Sequence, residues 1–133
     1  MTIFTNEVIT GFETKQPISK LIRNGKSLID EFIRDIKADK NLSPQLAELY
    51  SIMEDVGNNL LVPRTKYKRL NLRRLKYCPY EAKTSNLRLY VFRDDDLGIL
   101  IVIGGKKTEQ TEDLRRLEKL IKEYSFYKSL NHK

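Results

Sequence analysis

The chain has 133 residues, 40% of them hydrophobic and 32% charged, with a net charge of +7. That composition supports one domain with a modest core and excludes a disordered chain. A single cysteine, Cys78, excludes an intrachain disulfide, and a single histidine, His132, argues against a histidine-based nuclease. No Cys/His spacing suits zinc and no glycine pattern suits a nucleotide cofactor, so neither metal nor cofactor is expected. No apolar run approaches the roughly 20 residues a spanning helix needs, and MTIFTNEVITGFETK lacks the basic and apolar regions of a signal peptide. A cytoplasmic protein without a membrane partner is expected.

In chain order, Ile3 to Phe12 alternates weakly and predicts a strand. Ile18, Leu21, Ile22, Ile29, Phe32, Ile33 and Ile36 fall at helical spacing, with Gly25 as a break and Ser27 three residues before Asp30 as a cap. This predicts one interrupted helix or two short ones. Ser43 at the cap and Pro44 at the first helical position open a second helix that ends at Gly57. Beyond Pro63 the period becomes strand-like: Tyr80 to Lys83, a turn at Thr84, Ser85 and Asn86, then Leu87 to Arg93 with Leu87, Leu89 and Val91 on one face and Arg88, Tyr90 and Phe92 on the other. Asp94, Asp95 and Asp96 suit a turn at least as well as a cation site. Ile99 to Ile103 reads as a strand buried on both faces, closed by Gly104 and Gly105. A last helix begins near Thr111. The sum is a single α+β domain over residues 1–133, ordered β-α-α-β-β-β-α, with a small, mostly antiparallel sheet.

Charge is concentrated in the thirty residues from Arg64 to Arg93, which hold ten of the 25 Lys and Arg and one of the 18 acids, Glu81. That segment carries +9 while the remainder nets −2. Tyr67, Tyr77, Tyr80, Tyr90 and Phe92 interleave with those cations, a pairing suited to single strands and RNA.

The run Tyr80-Glu81-Ala82-Lys83, Leu87-Arg88-Leu89-Tyr90, an acidic turn, Ile99 to Ile103, and Gly104-Gly105-Lys106-Lys107-Thr108 with Gln110 resembles the C-terminal half of the RelE/ParE superfamily of bacterial toxins. It is most similar to the phage-derived Gp49-like and HigB-like branch. The resemblance covers roughly Lys66 to Asp113. It implies a RelE-like fold and the toxin of a type II toxin-antitoxin pair, cutting messenger RNA on the ribosome and neutralised by an acidic cognate antitoxin. RNA supplies its own nucleophile, the 2′-hydroxyl, so the reaction needs a base, cations for the developing phosphorane charge and an acid for the leaving oxygen, with no metal.

Carried over by position, the resemblance makes Arg88 the phosphate clamp, with Lys83 across the turn from it. Lys106 and Lys107 match a basic pair at the exit of the central strand; Lys107 is favoured and Lys106 stays open. Both Arg88 and Lys107 are expected in one groove and largely exposed. Lys66, Lys68 and Arg69 match the stretch that binds RNA, and Arg93 adds a further phosphate contact. Tyr90 is placed either to stack a base or to pack across strands. Thr108 to Asp113 lacks the tyrosine or histidine that ribonuclease members place there. Two other readings survive, a ParE-like inhibitor of DNA gyrase and a non-catalytic module that holds RNA or protein.

Overall fold

A computed structural model describes residues 2–72 and 74–131; Arg73 of the basic segment and His132 lie outside them. Strands β1 (Phe4–Val8) and β2 (Ile18–Arg23) pair antiparallel, and Asn24-Gly25 turns the chain into the two-residue strand β3 (Lys26–Ser27). The stretch from Ile18 to Arg23 is therefore a strand, which corrects the helical expectation. Asn24 and Gly25 both adopt positive φ, 50° and 79°, the backbone of a hairpin turn that Asn-Gly favours. β2 lies between β1 and β7 (Gly98–Lys106) and is buried at Ile18, Ser19 and Leu21, so both of its faces are apolar enough to imitate a helical stripe.

Helix α1 (Leu28–Lys37) follows directly, with Ser27 at its cap position but making no side-chain cap bond. Helix α2 (Ser43–Gly57) opens one residue earlier than expected, with Leu42 at the cap and Pro44 in the first turn. Both helices bury Ile29, Ile36, Leu46, Leu49 and Met53 against Leu87, Leu89, Val91 and Ile101 on one sheet face. A short strand that the sequence reading missed, β4 (Tyr67–Arg69), precedes β5 (Pro79–Lys83) and β6 (Leu87–Asp94). The main path of the sheet runs β1-β2-β7-β6-β5-β4, with β3 beside β2; β2 and β7 are parallel and the other pairs antiparallel.

β7 does not stop at the glycines but continues through them to Lys106. Gly104 is needed there because a Cβ would overlap the Phe32 ring of α1. In β7 the register slips by one residue: Tyr90 pairs with Ile103 and Val91 with Ile101, leaving Val102 as a bulge. Val102 and Ile103 consequently both join the second core, formed where α3 (Gln110–Asn131) lays Leu117, Leu120, Ile121 and Tyr124 on Tyr90, Phe92 and Leu100. The chain is thus an α+β sheet with two helices on one face and one on the other. Among the described residues, no helix is long and apolar enough to cross a membrane.

Candidate nucleic-acid interface

Strand pairing decides which cations meet, because residues directly opposite in a ladder share a face. Lys83 pairs with Arg88, Arg88 with Gly105, and the Lys83 N–H donates to the Lys66 carbonyl at 2.8 Å, which extends the same row to Lys66. One step along, Lys68 pairs with Glu81 and Glu81 with Tyr90. Lys66, Lys68, Lys83 and Arg88 therefore converge on the α3 face, at the end where α3 begins. Arg69 pairs with Tyr80 and Arg93 with Ile99, which turns both to the α1/α2 face. The basic segment is split between two faces, and only part of it can act as one surface.

Within that face the acids are as notable as the cations. Glu81 is 1% exposed; its carboxylate accepts from the Gln110 amide at 2.7 Å and lies 3.6 Å from the Lys68 ammonium. Asp113, 9% exposed, sits over Gly105, where any Cβ would overlap its carboxylate. Its Oδ2 has no hydrogen-bond partner. Burial, with Glu109 and Glu112 nearby, pushes the Asp113 carboxyl above its ordinary value, and Arg116 opposes the shift. The Tyr90 hydroxyl and the Arg88 Nε are likewise buried without a partner. Burial raises the Tyr90 hydroxyl, and Asp113 and Glu81 add to the effect while Arg88 counters it. One small region thus gathers a buried donor, an acceptor and a hydroxyl, all unpaired, an arrangement that suits a polar group arriving from outside.

Two site expectations need correction. Arg88 is 7% exposed rather than open: its Nη1 donates to the carbonyls of Thr84 at 2.7 Å and Leu87 at 2.8 Å, tying down the β5–β6 turn. Tyr90 shares the face of Arg88, as the alternation predicts, but it is fully buried under α3 and has no ring surface free for a base. Arg93 is exposed but on the opposite face, so it cannot join the same groove. Lys106 is exposed and lines a 270 Å³ cavity with Phe32, Asp35 and Arg116, away from Arg88. Lys107 is exposed where a 3-10 turn (Lys107–Glu109) leaves the strand, and its N–H donates to the Asn86 carbonyl at 2.8 Å, holding it at the same end of the sheet as Arg88.

Sequence reasoning missed Glu81, Gln110 and Asp113 as members of this cluster. Gly105 was the available signal, since a strand glycine often marks the close approach of another group. Asp94 serves the turn, accepting at Oδ1 from the Asp96 and Leu97 amides, and no group of acids, cysteines or histidines among the described residues is arranged to hold a metal. Cys78 is half-buried, its sulfur receiving the Arg69 Nε at 2.9 Å. Comparison with protein families, with curated proteins and with solved structures returns no match.

Proposed function

We propose that this chain is a toxin of the RelE/ParE kind that binds messenger RNA on the ribosome through the Lys66, Lys68, Lys83 and Arg88 face and cuts it without a metal. The observation that carries the reading is the convergence of those four cations beside unpaired, buried Arg88 Nε and Asp113 Oδ2. Lys66, Lys68 and Lys83 hold the phosphates electrostatically. Asp113 takes the proton of the ribose 2′-hydroxyl; the freed oxygen attacks phosphorus, the bond from phosphorus to the 5′-oxygen breaks, and Lys83 gives a proton to that leaving oxygen. Arg88 fixes the turn that carries Lys83 and turns its remaining N–H groups toward the developing charge. The antitoxin of such a pair covers this face with an acidic segment.

Adding the protein to a translation extract and mapping transcript ends tests the reading. New ends on ribosome-bound transcripts, lost by about 10²-fold or more in Asp113→Asn while RNA binding persists, are expected. Intact transcripts together with arrested gyrase supercoiling would replace it by the gyrase reading. The commitment of Arg88 to Thr84 and Leu87 specifically favours a second reading, a module of the same fold that holds RNA without cutting it; bound but uncut transcripts would establish that.

A further inference from the structure

At the opposite end of β6 from Arg88 lies a cleft of 680 Å³, between the segment before β5, the β6–β7 turn and the end of α3. Its size falls in the range of small-ligand sites. Two of its charges are used internally: Asp94 accepts from the Tyr124 hydroxyl at 2.5 Å and lies 3.4 Å from the Lys128 ammonium. The others are exposed and form no ion pair among the described residues, namely Arg93, Lys76, Asp95 and Asp96. Tyr80 lines the cleft and also an adjoining 220 Å³ cavity, where it stacks on Tyr67 with ring centroids 5.1 Å apart and planes 7° from parallel.

The occupant must satisfy two cations, two carboxylates and an aromatic wall at once. A bare phosphate leaves the carboxylates repelled, and an amine leaves Arg93 and Lys76 unanswered. A nucleotide satisfies all three, with its phosphate on Arg93 and Lys76, its ring against Tyr80, and its amino edge donating to Asp95 or Asp96. We propose that this cleft binds a nucleotide unit of single-stranded RNA, as a second site beside the Lys66–Arg88 face.

The proposal rests on the nucleic-acid reading above and adds a position to it. Arg88 and Arg93 stand five residues apart on β6, about 17 Å, on opposite faces. The sheet ends at the three-residue edge strand β4. The cleft takes in Tyr80 and Arg93 of one face and Asp94 and Lys128 of the other. A single strand following the β4 edge from Lys66 and Lys68 past Arg69 therefore reaches it, and the split of the basic segment between faces becomes a path instead of a dilution.

Amide NMR of the full chain, titrated with a hexaadenylate RNA and separately with AMP, tests this. The hexamer should move the amides of Arg93 to Asp96 and Ser129 as well as those of the β5–β6 turn, and Arg93→Ala should weaken it about tenfold with an unchanged melting temperature. AMP should move the cleft amides in the wild type and in Lys83→Ala alike; AMP binding without hexamer binding there would overturn the RNA path and assign the cleft to a free nucleotide instead. Hexamer shifts confined to the Lys66–Arg88 face, or full affinity in Arg93→Ala, would overturn the cleft and leave the proposed function standing. No shift with either probe would overturn both.

Discussion

The carboxylate of Asp113 rests against Gly105, so closely that the strand has no room for a side chain there. Gly105→Ala should therefore cost about 1–3 kcal/mol by overpacking, although Gly105 lies in a strand where alanine is otherwise acceptable. Asp113→Ala in the same chain should restore most of that loss. Denaturant melts of the two single variants and the double variant give the coupling; additive losses would show that the contact is not the cause.

Stability should also depend on the charge of Asp113. Its carboxyl titrates higher in the folded chain than the unfolded value of about 4, so its contribution is fully present below that value and is lost as pH rises through the raised folded value. Asp113→Asn keeps the shape and removes the charge. It should melt at least about 2 °C higher than wild type at pH 7, and the gap should close toward pH 3. A variant less stable at pH 7 would mean that the carboxylate is held ionised by a partner.

Arg88→Ala should do more than remove the proposed phosphate contact. Two carbonyls of the β5–β6 turn lose their donor, which should cost about 1–3 kcal/mol, whereas Lys83→Ala, half-exposed and without an ion pair among the described residues, should leave the melt unchanged. RNA affinity should fall in both, and the salt dependence of binding should become shallower by roughly one phosphate contact in Lys83→Ala. A salt slope identical to wild type would remove Lys83 from the interface.

At the far end of β6, burial pushes the Asp94 carboxyl up, but the Tyr124 hydroxyl, the Asp96 amide and Lys128 outweigh it and hold the group below its ordinary value. Its stabilisation is present above about pH 4, the unfolded value, and is lost as pH falls through the lower folded value. Tyr124→Phe should cost about 1–2 kcal/mol at pH 7, and the difference from wild type should shrink below pH 4. Melts from pH 7 to 2.5 decide it: a gap that stays constant would assign the loss to packing alone.

Elements stood out in the sequence where one face is polar or a turn residue is explicit. The β5–β6 hairpin, α2 and α3 are close to their expected bounds for that reason. β2 was hidden because Ile18, Leu21 and Ile22 satisfy a helical spacing as readily as a strand buried on both sides, and Gly25 reads as a break in that helix as easily as part of an Asn24-Gly25 hairpin turn. Strand alternation correctly put Arg88 and Tyr90 on one face, yet their burial depends on α3 docking more than twenty residues later, which no local pattern contains. The division of the cations followed from register: once Lys68 faces Glu81, Arg69 must face the other way. A three-residue edge strand gives too short a period to reveal that in advance.

The parallel pairing of β2 with β7 joins Ile18 to Ile99, positions 81 apart in the chain. As the polypeptide leaves the ribosome, the β1–β2 hairpin and both core helices emerge long before the strand that completes them. Until β7 arrives, β2 presents an open edge and the α1/α2 apolar faces lack the centre of their sheet. Assembly therefore waits on loop closure across most of the chain, a slow, non-local step. A product interrupted before Gly98 has no route to the finished sheet, so any activity that depends on this sheet begins only after β7 has been made.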